Sequence, residues 1–160
     1  MALATSPQVQ AQVHSEFAEE RLGEALELAQ QNREQHMIQA LERYQEHLEA
    51  VNQNAEQAQA QGKDVEAILG KMAENNLRHQ EVLADVLERV PEQAKDSIRK
   101  VIENNERNYQ RTIDAVSGEK RQEIQERQQE RIQELQEELE GQGVQLPTAT
   151  PSQQRNGRSN

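Results

Sequence analysis

The sequence predicts an all-α protein, an antiparallel four-helix bundle followed by an additional polar helix and a disordered tail. Three observations support this prediction. Apolar residues recur at steps of three and four over most of the chain, which is the spacing of one helix face. Helix-stopping and helix-capping residues interrupt this pattern at intervals that leave long helices between them. Hydrophobic residues make up 33% and aromatic residues 2% of the chain, which suits slender helices better than a thick core.

The first two predicted helices meet at Asn32. The first spans residues 8–31, and its apolar positions are Val13, Phe17, Leu22, Ala25, Leu26 and Ala29. The second has an uninterrupted heptad pattern at Met37, Leu41, Tyr44, Leu48, Val51, Ala55 and Ala58. We expect Asn32 to cap the second helix, with Gln35 completing a capping box. Gly62 and Asp64 then predict a chain reversal, because glycine ends helices and aspartate caps them.

The third and fourth predicted helices are separated by Pro91. Proline cannot continue a helix but fits the first turn of the next one, where Glu92 adds a favourable charge. The fourth helix weakens at Ser117 and Gly118. Beyond them almost every residue is Glu, Gln or Arg, with apolar exceptions at Ile124, Ile132, Leu135 and Leu139. We expect a partly buried helix there. It either pairs weakly with a partner helix or a second copy through Ile132, Leu135 and Leu139, or is a solvated helix that folds back on the bundle or stands free.

These signals divide the chain into four segments. Residues 1–7 are predicted to be a flexible leader and residues 8–117 the helical bundle. Residues 118–140 form the Gln/Glu/Arg-rich helix, and residues 141–160 a disordered tail or linker.

Polar residues are predicted to form a layer inside the bundle. Because short turns make neighbouring helices antiparallel, residues equidistant from a turn lie at the same height. Asn76 then falls level with Asn105, and Tyr44 falls near His79 and Gln80. One interpretation is a register device that excludes slipped packings. The other is a small pocket for a ligand or an ion.

Patterns typical of catalytic sites are missing from the sequence. The residues three positions before the four histidines are Ala11, Arg33, Tyr44 and Asn76, which excludes the Glu-x-x-His pattern of di-iron bundles. The sequence also lacks His-Glu-x-x-His and a glycine-rich phosphate loop. We therefore predict a protein that is not an enzyme, with no catalytic residue, cofactor or assigned metal ligand.

The histidines leave one chemical alternative open. His14, His36, His47 and His79 could bind a transition metal in pairs, and bundle geometry favours His14 with His47. The competing interpretation is that they are ordinary solvated side chains.

The charge of the chain bears on its partners. A net charge of −11 without a Lys/Arg cluster argues against binding to nucleic acid and to anionic lipid. No apolar run is long enough for membrane insertion, and without cysteine there is no disulfide framework. Residues 1–7 lack the basic and apolar regions of a signal peptide.

Several segments resemble a known family. They are Arg21-Leu22-Gly23-Glu24-Ala25, Ala40-Leu41-Glu42-Arg43-Tyr44, His79-Gln80-Glu81-Val82-Leu83 and Val86-Leu87-Glu88-Arg89-Val90-Pro91-Glu92-Gln93-Ala94. Over about residues 16–117 the chain is similar to an uncharacterised family of bacterial helical domains, a domain of unknown function. The resemblance implies an exported, extracytoplasmic protein, either periplasmic or at the cell surface, although a leader like that of other members is not seen here. It brings no catalytic residues.

Together these inferences predict a non-enzymatic helical interaction or scaffold module that binds a protein partner or a second copy of itself. The alternative is a periplasmic metal-responsive or chaperone-like helical protein.

Overall fold

The computed structural model describes residues 6–141 and contains five α-helices in this part of the chain. They are α1 (Pro7–Gln30), α2 (Glu34–Ala60), α3 (Glu66–Arg89), α4 (Glu92–Ala115) and α5 (Gly118–Gly141). No strand occurs among the described residues, and the predicted all-α bundle is confirmed. Most of the leader predicted over residues 1–7, and the tail predicted over 141–160 apart from Gly141, lie outside the described residues.

The chain divides into two compact units, one ending at Gln128 and the other beginning at Gln129. The first contains α1 to α4 and the start of α5. In the second, the described residues continue α5 to Gly141, and an ion pair of 3.1 Å joins Arg131 to Glu134 one helical turn later.

The four helices of the bundle are not arranged around it in chain order. Helix α1 packs against α2 and α3, and α4 packs against α3 and α2. Helices α2 and α3, which are consecutive in sequence, therefore face each other diagonally across the core. Since the chain reverses at each turn, α1 and α3 are parallel neighbours, and so are α2 and α4.

Helices α1 and α2 have the most extensive contact among the four helices of the bundle. Alanines are buried on both helices: Ala11, Ala18, Ala25 and Ala29 on α1, and Ala40, Ala55 and Ala58 on α2. Small side chains allow two helix axes to approach closely, since the distance between packed helices depends on the residues at the contact. The spacing of seven between Ala11, Ala18 and Ala25 keeps this contact on one face of α1.

Helix α1 ends in a Schellman motif. Asn32 has a φ of 58°, in the left-handed region, and the Arg33 N–H donates to the Leu28 carbonyl over 2.9 Å. The capping box predicted between Asn32 and Gln35 is therefore wrong. The residue before α2 is Arg33, without a side-chain cap, because the tolerance of asparagine for positive φ is used to end α1.

In the second turn the chain reverses at Gly62, as the sequence predicts. Gly62 has a φ of 72°, and its N–H donates to the Gln59 carbonyl over 2.9 Å. The predicted cap by Asp64 is displaced by one residue, because Val65 directly precedes α3 and has no side-chain cap. Asp64 lies one position earlier, and its Oδ1 accepts a 2.9 Å hydrogen bond from the Glu66 N–H. At the third turn, Pro91 directly precedes α4.

The first part of α5 packs on the bundle. Ile124 is completely buried. Arg127 forms a 2.6 Å ion pair with Glu74 of α3, and Gln128 Nε2 donates to the Ala73 carbonyl over 3.2 Å. None of the described helices combines the length and the apolar composition needed to cross a membrane.

Candidate functional site

The bundle interior contains the four polar residues predicted from the sequence. Tyr44, Asn76, His79 and Asn105 are all buried, with at most 6% of any of them exposed. The Tyr44 hydroxyl donates to Asn105 Oδ1 over 2.7 Å and lies 3.2 Å from His79 Nδ1. Tyr44 thus links α2 to α4 and, across the diagonal of the core, to α3.

The proton positions in this layer follow from the donors available. A tyrosine hydroxyl has one proton, and here it goes to Asn105. His79 Nδ1 must then carry the proton of the second hydrogen bond and donate it to the Tyr44 oxygen. Burial raises the pKa of Tyr44 well above its usual value, so this hydroxyl stays protonated.

Burial also keeps His79 neutral, because it lowers the pKa of the imidazole to about 4. The charge of Glu19 on α1 raises this pKa and the charge of Arg78 lowers it, both by less than burial does. At neutral pH His79 is therefore an uncharged hydrogen-bond donor to Tyr44.

Two atoms of the layer are left without a hydrogen-bond partner in the described part of the chain, His79 Nε2 and Asn105 Nδ2. Asn76, three residues before His79 on α3, is also buried. Among the described residues, however, no hydrogen bond joins it to Asn105. Tyr44 is the partner that Asn105 has instead.

A second polar contact between α2 and α4 escaped the sequence argument. Asn52 is buried, and its Nδ2 donates to Asn108 Oδ1 over 2.7 Å. Thr112, one turn further along α4, is buried and donates to the Asn108 carbonyl over 2.8 Å. In the sequence, the contact of Asn52 with α4 is indicated only by the position of Asn52 directly after Val51 of the heptad pattern.

A histidine pair lies between α1 and α2, away from the buried layer. The Nδ1 atoms of His14 and His47 are 3.0 Å apart, and both side chains are half-buried. The Phe17 ring lies beside His47, with ring centroids 5.4 Å apart. The pKa of His47 is lowered, mainly by burial and further by the charges of His14 and Arg21. His36 is exposed elsewhere on α2.

Three large apolar side chains form an exposed stripe on α1. Val9 is 47%, Val13 39% and Phe17 42% exposed, and they follow one another at steps of four residues. We call these three residues the α1 stripe. The sequence pattern places Val13 and Phe17 among the apolar positions of the helix, but the buried positions at this level of α1 are Ala11 and Ala18. Phe17 stays largely exposed at the edge of the contact with α2, where its ring lies beside His47.

Shallow clefts lie along the bundle. Two of 340 and 230 Å³ follow the junction of α2 and α4, and both include Gln45, whose Nε2 is buried without a partner in the described chain. A third, of 320 Å³, lies where the first and third turns meet. None of these three is lined by a residue of the buried polar layer, so they do not provide the predicted interior pocket.

Comparison with known proteins gives one match. The model of a family described as a domain of unknown function (DUF5667) matches residues 1–93, which include α1 to α3 and the turn at Pro91. The resemblance noted in the sequence extended to about residue 117, whereas the matched segment ends at the start of α4. Neither the comparison with curated proteins nor that with solved structures gives a match.

Proposed function

The chain belongs to the DUF5667 family of domains of unknown function, and from this premise we propose that it is a non-enzymatic helical module that binds another protein chain. The observation that supports this proposal most directly is the α1 stripe. Its three side chains are large, apolar, contiguous on one helix face and at least 39% exposed. Exposed apolar side chains grouped in this way mark interaction surfaces more often than single ones do.

The charge distribution points to the same surface. The chain has a net charge of −11, so much of its surface repels acidic partners. Residues 7–15 contain no Asp, Glu, Lys or Arg, and glutamines flank the α1 stripe. Interface centres are depleted in charged residues, because a buried charge must lose its water. Docking of another protein on the beginning of α1 therefore removes few charged groups from water.

The shape of this surface favours a helical partner. Side chains at steps of four form a row about 12 Å long between Val9 and Phe17. A row of this kind pairs with the apolar face of another helix, as in helix-in-groove recognition. A second copy of this chain and a different protein both satisfy this chemistry. We also propose that the module acts outside the cytoplasm of a bacterium. The resemblance of the sequence to exported domains supports this part of the proposal.

Site-specific photocrosslinking tests the proposal in the full chain. A photoreactive phenylalanine replaces Val13 in the α1 stripe, and in a matched control it replaces Glu103, exposed on α4. We expect a discrete protein adduct, with a second copy or another protein, at position 13 and none at position 103. Adding Phe17→Glu should abolish the adduct without changing the helical circular dichroism. Equal labelling at the two positions would refute the proposal.

In the chaperone-like alternative, the α1 stripe binds apolar segments of unfolded client proteins. It predicts that the protein suppresses aggregation of a model client such as reduced insulin, and that Val13→Glu removes this effect. A discrete adduct at position 13 without any suppression of aggregation would favour the interaction module.

A further inference from the structure

The histidine pair between α1 and α2 has a geometry that ordinary surface histidines lack. His14 and His47 are 33 positions apart in the chain, yet their Nδ1 atoms are 3.0 Å apart. The ring centroids are 5.2 Å apart and the ring planes are tilted by 36°. Without a metal, this contact requires one ring to donate its Nδ1 proton to the lone pair of the other.

The two histidines are carried by helix segments that pack in the core. His14 lies between Ala11 and Ala18 of the alanine face, both completely buried against the neighbouring helices. His47 is followed by Leu48, which is buried in the core. A ligand pair carried by packed helices loses little conformational freedom on binding, so the site is preorganised.

The separation also matches what a metal ion requires. Imidazole nitrogens bind zinc at about 2.0–2.1 Å, so two of them subtending 90–110° at one ion are about 2.9–3.4 Å apart. The observed 3.0 Å lies within this range. A metal ion can therefore bind both Nδ1 atoms after a small rotation of the two rings, once the donor ring has exchanged its Nδ1 proton for one on Nε2 through water.

We propose that His14 and His47 bind one divalent transition-metal ion between them through their Nδ1 atoms. Among the described residues there is no group of three or more His, Cys, Asp or Glu side chains that could hold a metal. The protein thus supplies two ligands, and water completes the coordination. Imidazole ligands suit nickel, copper and zinc, and the affinity should be highest for Cu²⁺.

Isothermal titration of the full chain with NiCl₂, CuCl₂ and ZnCl₂ at pH 7.5 tests this site. We expect one ion per chain, and a loss of affinity of about tenfold or more in either His14→Gln or His47→Gln, because the second imidazole then no longer binds intramolecularly. The matched control is His36→Gln, which changes an exposed histidine of α2 and should leave the affinity unchanged.

Two further measurements identify the ligands. Saturating Zn²⁺ should raise the melting temperature of the wild type but not of either variant, because only the folded chain brings the two rings together. The electron paramagnetic resonance spectrum of bound Cu²⁺ should show coupling to two nitrogens, and to fewer in His47→Gln. An unchanged affinity in the double variant, or no binding by the wild type, would overturn the proposal. Neither measurement changes a residue of the α1 stripe, which Val13→Glu tests separately.

Discussion

At the scale of single residues, Tyr44 makes two buried interactions through one oxygen atom. Its hydroxyl oxygen donates to Asn105 and accepts from His79 in a region without access to water. Removing such a group leaves buried partners unpaired, which costs more than the hydrogen bond itself contributes. The buried layer therefore depends on tyrosine rather than on any apolar residue of similar size.

Tyr44→Phe should destabilise the protein by about 2 kcal/mol or more, because Asn105 Oδ1 and the His79 Nδ1–H both lose their partner at about 1–3 kcal/mol each. Chemical denaturation monitored by circular dichroism measures the loss. Tyr109→Phe is the matched control. Its hydroxyl donates to Gln128 in a half-buried position, where water can replace it, so we expect a loss below about 1 kcal/mol. Equal losses in the two variants would contradict this account.

A layer near Tyr44 and His79 could be foreseen from the sequence, but its hydrogen bonds could not. Reflecting the chain about the second turn places Tyr44 and His79 at similar heights, and the structure brings them within 3.2 Å. The position of a residue along the bundle axis does not determine which face of its helix the side chain occupies. For this reason the expected pairing of Asn76 with Asn105 gave way to the contact between Tyr44 and Asn105.

At the level of helices, the alanine face of α1 decides which side chains enter the core. Val13 and Phe17 satisfy a helical apolar pattern, but Ala11 and Ala18 are the buried residues at that level. Close packing of α1 on α2 favours the face with the smallest side chains, even where larger apolar residues lie beside it. Hydrophobic periodicity gives more weight to large residues, so it could not identify this face.

Ala18→Leu should destabilise the protein by about 1–3 kcal/mol, because the added isopropyl group cannot enter the contact between α1 and its neighbours without pushing the helices apart. Thermal denaturation measures the effect. In the control, Ala84→Leu, the same side chain is added at an exposed position of α3, where a change within about 0.5 kcal/mol is expected. A tolerated leucine at position 18 would mean that the two helices are not closely packed.

Helix α5 provides a comparison between two isoleucines in one element. Ile124 is completely buried, whereas Ile132 is 43% exposed. Ile124→Ala should therefore cost about 2 kcal/mol or more, in the range of core truncations, and Ile132→Ala about 0.5 kcal/mol or less. Urea unfolding of both variants decides the question. Similar small losses would show that the first part of α5 does not pack on the bundle in solution.

In the bundle as a whole, polar contacts join the helices that are parallel neighbours. Helices α2 and α4 are joined by Asn52 to Asn108 and by Arg111, which pairs with Glu49 and Glu56. Parallel helices share no turn, so their relative height cannot be obtained by reflecting the chain about one. The sequence therefore predicted the helices and the turns between them, but neither the contacts between α2 and α4 nor the diagonal placement of α2 and α3.

The acid response of the whole molecule follows from its buried histidine. The pKa of His79 is about 4 in the folded chain, against 6.5 for an unperturbed histidine, which stands for the unfolded chain. The unfolded state thus binds a proton first as the pH falls, so this contribution to stability is complete above pH 6.5 and is lost progressively between pH 6.5 and 4. The lowered pKa of His47 acts in the same direction.

Between pH 7 and 5, the free energy of unfolding of the wild type should therefore fall by about 2 kcal/mol more than that of His79→Gln, because 1.5 pH units below the unfolded pKa correspond to about 2 kcal/mol for one proton. Glutamine retains a polar side chain but does not titrate. Denaturation at several pH values in both proteins separates this effect from the carboxylates, which protonate equally in each and reduce the net charge. Parallel stability curves would mean that His79 is hydrated in the folded state, and the buried layer would then have to be open to water.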